Sequence, residues 1–417
     1  MTGYTNATLF KDNTATYKEP RQGGAGTCYL ISAISTAAEW PKLITDMFVT
    51  GTDMSGPNAG IIGVKFFIRG KPWVVTIDDK LYWYTSGGSK YLKFNQPDST
   101  NNIMWAPILE KAWAKVKGNY DATFGGFVVS GLRSITGAPV FTYKTSDIGA
   151  SGGLSLDATF DLLKAANDAN YPMGAGTTGG SDTNRNDCGI ATGHAYSILE
   201  TFEMNDNGTM KDMLLMRNPW GTTDYSGPWH HGDAAWTSAL KTQVPFGLDP
   251  TTSHNDGIFV MPMSTFGQTA NSYNCIYNYE IAHYRDGEGY SGDWYDAENM
   301  DEAFHNYYIT VPKYDGALYF TVETYYQDII PNECTTGSVT FSNGSSATLS
   351  NPLLDYEVWK DGASSYTAYK YVSDQFSYPI LLTTYSAGDV FKVVVGYKWF
   401  NSPAKDYTVK IYSKQSL

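Results

Sequence analysis

The spacing of apolar residues predicts helices in the first part of the chain. Apolar residues recur at helical spacing in three segments, and each is predicted to form a helix: Cys28–Trp40, about Pro107–Lys117, and Asp157–Asn167. Ser155 stands just before the third segment, where its hydroxyl can cap a free N–H group. Between the first two helices, Val64–Ile77 predicts two strands joined by a turn. From about residue 141 to 270 strand patterns predominate, interrupted by the third helix.

Past about residue 275 the helical spacing disappears and short strands follow one another, separated by Gly and Asp turns. The strand candidates are Tyr307–Val311, Ala317–Tyr325, Ser338–Phe341, Asp355–Trp359, Tyr366–Val372, Ile380–Tyr385, Val390–Tyr397 and Tyr407–Tyr412. Several alternate apolar and polar residues, as strands with one buried face do. The pattern predicts an α+β module of two lobes followed by an all-β module of the β-sandwich type.

Charge excludes several classes of partner. The chain has 417 residues and a formal net charge of −13, without basic clusters. Binding to nucleic acid or to an anionic membrane surface requires concentrated Lys and Arg, so neither is predicted. No stretch reaches the roughly 20 apolar residues that a membrane span needs. The polar segment Met1–Glu19 has no apolar core of a signal peptide, so none is expected.

The four cysteines predict the redox environment. Cys28, Cys188, Cys275 and Cys334 are scattered, with no CxxC pair and no spacing typical of a disulfide framework. A reduced, cytoplasmic location is therefore predicted.

The segment Arg21–Tyr29 has the features of a nucleophilic site. A glycine-rich approach ends at Cys28, the first residue of a predicted helix. A helix N-terminus favours negative charge and so favours a thiolate. Gln22, six residues upstream, can direct a side-chain amide at an oxyanion beside the sulfur. The alternative is that Cys28 is a small buried hydrophobic residue and Gln22 a surface residue.

A predicted hairpin brings a histidine and an asparagine together. The segments G-H-A-Y-S-I and M-R-N-P-W-G flank an Asn205–Gly208 turn whose midpoint is near 206.5. His194 lies 12.5 positions before that point and Asn218 lies 11.5 after it, so the two are nearly opposite. An Asn oxygen can then hold one imidazole nitrogen and leave the other to serve a thiol, with Trp220 shielding the pair. The alternative is a histidine at a strand end and an asparagine in a turn.

Three blocks, Q-G-G-A-G-T-C-Y, G-H-A-Y-S-I and R-N-P-W-G, closely resemble in this order the catalytic blocks of the calpains. L-E-K-A-W-A-K and L-R-S-I-T-G-A-P-V resemble calpain core sequence as well, and the resemblance runs from about residue 18 to 265. It implies a papain-like core of two lobes, with Cys28 as nucleophile, His194 as base, Asn218 as the residue that orients the base, and Gln22 in the oxyanion hole. The predicted domains are an N-terminal extension (1–17), lobe 1 (18–140), lobe 2 (141–270) and a C-terminal β-sandwich (275–417).

The chain departs from the calpain pattern at two places. Thr27 and Tyr29 stand where Asp and Trp are usual. Calcium is the one cofactor that the resemblance raises, with Glu19, Asp224 and Asp256 at positions expected for ligands. His231 and Ile258 occupy the positions of two further acidic ligands, which leaves fewer oxygens than the six to eight that calcium favours. Calcium therefore stays the candidate cofactor, at sites that look incomplete, and its ligand set is left open.

The leading functional hypothesis is a cysteine endopeptidase that acts on protein or peptide substrates through Cys28, His194 and Asn218. The alternative is a calpain-like scaffold without proteolytic activity, since Thr27, Tyr29 and the incomplete acidic set depart from the family. In that reading the tyrosine-rich β module is the surface for a protein partner. A transglutaminase also uses Cys and His but usually Asp as the third residue, so Asn218 disfavours it.

Overall fold

The structure is a computed structural model. It describes residues 7–50, 60–68, 70–97, 102–223, 225–252, 256–267, 275–283, 294–297, 304–311, 316–324, 338–340, 346–348, 353–372, 379–398 and 407–413.

Helices lie in the first two thirds of the chain, and strands occur throughout. The helices are α1 (Cys28–Ala37), α2 (Pro41–Thr45), α3 (Trp105–Val116), α4 (Val128–Thr136), α5 (Leu156–Asp168), α6 (Ser238–Lys241) and α7 (Met263–Phe266). None of the helices in the described part of the chain combines the length and apolarity needed to cross a membrane.

The strands are β1 (Phe48–Thr50), β2 (Ile61–Ile68), β3 (Lys71–Asp78), β4 (Trp83–Ser86), β5 (Ser89–Leu92), β6 (Val140–Lys144), β7 (Met173–Gly176), β8 (Ala195–Asp206), β9 (Thr209–Arg217), β10 (Ile258–Pro262), β11 (Asn278–Ala282), β12 (Trp294–Ala297), β13 (Phe304–Thr310), β14 (Leu318–Thr324), β15 (Ser338–Thr340), β16 (Ser346–Thr348), β17 (Leu353–Lys360), β18 (Ala368–Val372), β19 (Ile380–Leu382), β20 (Val390–Lys398) and β21 (Tyr407–Ser413).

The core of the first region forms around α1, which is buried on nearly every side. Helix α4 packs directly on it at Gly131, where an added Cβ would lie 2.6 Å from the Cβ of Ala33. A side chain at this position would therefore push the two helices apart. Helix α4 is absent from the predicted helices, whereas the three predicted ones are confirmed. At the third, the Ser155 hydroxyl accepts from the N–H of Ala158, as a cap does.

The second region is built on a six-stranded antiparallel sheet in the order β10-β9-β8-β7-β11-β6. Helix α5 packs on one face and contributes to a separate buried cluster that includes Leu163, Met216 and Tyr279. The sheet contains β11, which lies beyond the predicted lobe boundary at residue 270. Helix α1 contacts the sheet at β8, so the two regions meet where Cys28 begins its helix.

Eight of the ten described C-terminal strands form two four-stranded antiparallel sheets, in the orders β12-β21-β14-β19 and β13-β20-β17-β18, and β15 pairs with β16. Residues from both sheets share one buried apolar cluster, which includes Phe320, Val358 and Val409. The polar face of β21 is buried as well, because Lys410 Nζ and the Tyr412 hydroxyl both donate to the carbonyl of Gly137 at 2.7 Å. This region thus contacts the C-terminal end of α4.

A disulfide joins Cys188 to Cys275, with a Cα–Cα distance of 5.7 Å. The prediction that the cysteines lack a disulfide pattern was wrong. The fold brings together two residues 87 positions apart, and a spacing that long is not recognisable in one sequence. Since disulfides persist in oxidising surroundings, the cysteine content no longer argues for a reduced compartment.

Removing this disulfide is expected to destabilise the second region. Cys188→Ser with Cys275→Ser should lower the free energy of unfolding by about 2–4 kcal/mol, because a long loop of the unfolded chain is no longer closed. Denaturant unfolding of the double variant against the parent, both without reductant, measures this difference. Equal midpoints would show that the bridge contributes nothing to stability.

Candidate active site

Cys28 is the first residue of α1 and is half-buried. The approach to it is fixed at Gly23, where a Cβ would lie 1.5 Å from the carbonyl oxygen of Phe94, so that only glycine fits. Burial raises the pKa of the Cys28 thiol to about 11, while backbone hydrogen bonds from Ala195 and Tyr29 oppose the shift. The bond from Ala195 places the Cys28 sulfur next to Ala195, which directly follows His194.

His194 and Asn218 lie at the open end of the β8–β9 hairpin and are both 3% exposed. His194 Nε2 is 2.9 Å from Asn218 Oδ1. Because an amide oxygen only accepts, Nε2 carries the proton and Nδ1 is the free base. Nδ1 is buried and has no hydrogen-bond partner among the described residues. The predicted meeting of these two side chains is thus present, with one nitrogen left for a further partner.

The surroundings keep the imidazole neutral. Burial lowers the pKa of His194 to about 4, against the opposing effects of the Asn218 hydrogen bond and the Asp182 charge. The Trp220 ring lies over it at 4.4 Å between centroids, as the shielding prediction requires, and the Arg185 guanidinium lies 5.3 Å from the centre of the Trp220 ring. Asp182 and Arg185 are residues that the sequence reasoning missed, since their loop carries no periodic pattern.

Gln22 is buried and is tied to the same site through its backbone. Its N–H donates to the carbonyl of Pro219 at 2.8 Å, and its side-chain Nε2 donates to Ala25 at 2.8 Å. Gln22 Oε1 is buried without a partner among the described residues. One Nε2 hydrogen is thus used within the Cys28 loop, and the second remains for an oxyanion.

Tyr29, which replaces the usual tryptophan, is fully buried. Its hydroxyl donates to the Thr123 carbonyl at 3.2 Å and accepts from Trp113 Nε1 at 2.9 Å. The ring fills the space that a Cβ on Gly126 would otherwise take. Tyr29 therefore packs as a large aromatic residue behind the nucleophile, with its polar atom satisfied.

The acidic residues considered for calcium are engaged by the protein. Glu19 Oε2 accepts from Trp105 Nε1 and from the Thr16 N–H, while Asp256 Oδ1 accepts from the Ile258 N–H. Ile258 is buried, His231 is exposed, and Asp224 lies outside the described residues. Within the described ranges no three His, Cys, Asp or Glu side chains cluster as metal ligands do. These donors do not fit a calcium site.

Comparison with known proteins shows which family the chain resembles. The model of the calpain family cysteine protease domain matches residues 3–276. A calpain-type cysteine protease of Zea mays, DEK1, is 29% identical over 246 residues, which is 59% of this chain and 11% of that protein. Mouse calpain-9 is 27% identical over 256 residues (60% and 35%), and rat calpain-8 is 30% identical over 263 residues (60% and 34%).

The chain therefore spans about a third or less of the length of these relatives. The matched segment nevertheless contains the Cys28 helix, the β8–β9 hairpin and every strand of the sheet around them except β11. The chain belongs to the calpain family of cysteine proteases.

Proposed function

We propose that the chain is a cysteine endopeptidase that cleaves peptide bonds of proteins or peptides. His194 Nδ1 takes the proton of the Cys28 thiol, and the sulfur attacks the peptide carbonyl carbon. The Gln22 amide and the Cys28 backbone N–H stabilise the oxyanion. The imidazolium returns the proton to the leaving amine, and water, activated by His194, releases the acyl group from the sulfur.

One observation carries this proposal. His194 Nε2 is hydrogen-bonded to Asn218 at 2.9 Å, and His194 Nδ1 is a buried base without a partner among the described residues. His194 directly precedes β8, whose first residue, Ala195, is hydrogen-bonded to the Cys28 sulfur. The free nitrogen alone does not identify a base, since His283 also has one; what distinguishes His194 is that the next residue, Ala195, is bonded to the Cys28 sulfur.

A scaffold without proteolytic activity is the second candidate, and the raised thiol pKa favours it. With the Cys28 pKa near 11 and the His194 pKa near 4, the resting pair is neutral, and only a small fraction is thiolate at pH 7. Proteolysis then requires the proton to move to His194 as the substrate binds.

Digestion of an unfolded protein distinguishes these two functions. The purified chain is expected to cleave it, and new N-termini identified by mass spectrometry should be absent with the His194→Ala variant. A parent chain that cleaves no more than this variant would support the scaffold.

Asn218→Ala is expected to lower kcat/KM about 10- to 100-fold, because the imidazole loses the acceptor that fixes its tautomer. Asn167→Ala is the matched control. Asn218 Oδ1 accepts from the Trp220 N–H and Asn167 Oδ1 from the Thr201 N–H, but Asn167 does not contact His194. Steady-state kinetics on a peptide substrate measure both. An equal loss in the two variants would assign Asn218 a structural role only.

We also propose that two papain-like lobes form the protease core and that the C-terminal sheets form a β-sandwich that presents a surface to a protein partner. The two sheets with their shared apolar cluster support the sandwich. The exposed tyrosines Tyr308, Tyr366 and Tyr369 support the partner surface. The cytoplasmic location stays a prediction.

A further inference from the structure

Behind the nucleophile lies a buried carboxyl group that the mechanism above does not use. Glu110 of α3 is 0% exposed, although L-E-K-A-W-A-K places a charged pair at this point of the helix. Its position, four residues after Ala106 and three before Trp113, puts it on the buried face with both. An acidic residue that deep needs partners for each of its oxygens.

Both carboxyl oxygens of Glu110 are occupied, and one partner adjoins Cys28. Oε1 accepts from the Thr27 hydroxyl at 2.5 Å, and Oε2 accepts from the Asn95 N–H at 2.7 Å. Thr27 is the N-cap residue of α1, yet its side chain caps no N–H group of the helix. An N-cap threonine ordinarily accepts from an N–H of the first turn. Here the hydroxyl is directed at Glu110 instead, and the backbone N–H of Tyr29, in the first turn, is one of the groups that lower the pKa of Cys28.

We propose that Glu110 is the positioning residue of the nucleophile: it holds the Thr27 hydroxyl away from the first turn of α1, so that the amides there remain directed at the Cys28 sulfur, and it does so more firmly as the carboxylate than as the acid. The inference rests on the proposed function and deepens it. The carboxylate acts through Thr27 and touches no substrate.

The ionisation of Glu110 falls in the neutral range. Burial raises the pKa of Glu110 to about 7, against the hydrogen bonds from Thr27 and Asn95, which favour the charged form. Below that pH the acid carries a proton that only the Thr27 oxygen can accept, because the Asn95 N–H is solely a donor, so the Thr27 bond must weaken or reverse. Above it the carboxylate accepts two bonds, and charge-assisted bonds are the stronger kind. The link to Thr27 should therefore tighten as the pH rises.

The groups around Glu110 leave this transition unobscured. Tyr82 and Tyr120 line the same small cavity, and burial raises the pKa of the Tyr120 phenol, further from the neutral range. Lys111, the next residue of α3, directs its ammonium at Asp78 and at the carbonyl of Lys80. The pKa values of Cys28 and His194, near 11 and 4, also lie outside the neutral range.

Two kinds of variant separate positioning from structure. Glu110→Gln keeps the shape and can bond both Thr27 and Asn95, but it mimics only the protonated acid. Thr27→Val removes the hydroxyl, and Thr27→Ser restores it. Thr145→Val is the matched control, because the Thr145 hydroxyl is equally buried and donates to the Ile276 carbonyl at 2.6 Å, in the second region.

The experiment measures alkylation of Cys28 by iodoacetamide, followed by intact mass and peptide mapping, from about pH 5.5 to 8.5. The ratio of the parent rate constant to that of Glu110→Gln is expected to rise from near unity to about tenfold, with its midpoint near the Glu110 pKa. Because both rate constants depend on ionisation of the Cys28 thiol, taking their ratio removes that part of the pH dependence. Thr27→Val should react about tenfold more slowly than the parent at the upper pH, while Thr27→Ser and Thr145→Val keep the parent rate.

A ratio that does not change with pH, with Thr27→Val reacting like Thr145→Val, overturns the positioning role and leaves the proposed function intact. Should the parent cleave an unfolded protein no more than His194→Ala does, the proposed function fails and this inference fails with it. If Glu110→Gln does not fold, the comparison of Thr27→Val with Thr27→Ser decides alone.

Discussion

Cys28→Ser and His194→Ala are each expected to lower kcat for peptide hydrolysis by about 10,000-fold or more, because the first replaces the thiol with a much weaker acid and the second removes the base. A serine hydroxyl holds its proton far more tightly than a thiol, so a neutral imidazole cannot activate it to the same degree. KM should change little, since neither side chain is expected to supply most of the substrate contacts.

The double variant gives the sharper result. If Cys28 and His194 act as a unit, removing both should cost no more than removing one. Steady-state kinetics of the parent, both single variants and the double variant measure this, with mass spectrometry to exclude parent contamination. Costs that multiply would mean that the two residues act independently, which contradicts the proposed mechanism.

Arg217→Met is expected to destabilise the fold by about 3–5 kcal/mol, because it leaves several buried acceptors without a donor. Arg217 is fully buried, and burial lowers its pKa to about 10. Its guanidinium donates to four groups: the carbonyls of Lys18, Pro20 and Asp256, and the hydroxyl of Ser35 on α1. It thereby ties the strand that precedes Asn218 to the helix that begins at Cys28.

Denaturant unfolding measures the loss, and Arg185→Met, which removes an exposed arginine of the same region, is the control, with an expected change below about 1 kcal/mol. Arg217→Lys should recover only part of the stability, because an ammonium cannot reach four acceptors in the planar geometry of guanidinium. Equal unfolding midpoints for Arg217→Met and Arg185→Met would show that the buried arginine does not hold the two regions together.

The meeting of His194 and Asn218 could be predicted because turn chemistry and strand period are local properties. The prediction was close but not complete. The two-residue turn is Asn207–Gly208, both with positive φ, one position later than the predicted centre, and a bulge at Leu199 adds one residue to β8. The two deviations are small, so the side chains still meet at the open end of the hairpin.

Other features depend on distant contacts and could not be read from the sequence. Gly131 weakens the helical pattern of α4, yet the close approach of α1 requires it. Lys410 alternates with the core residues of β21 as a solvent-facing lysine would, but its ammonium is buried against Gly137. Glu110 looks like a surface charge of an amphipathic helix until Thr27 and Asn95 are in place.

The most direct test of the central claim is labelling of the purified chain with an epoxide inhibitor of thiol proteases, read by intact mass and peptide mapping, with and without added calcium. We expect one label per chain, on Cys28, that is lost in His194→Ala and is unchanged by calcium, since Glu19 and Asp256 already accept hydrogen bonds from the protein. No label on Cys28 in either condition would contradict an activated nucleophile and favour the scaffold.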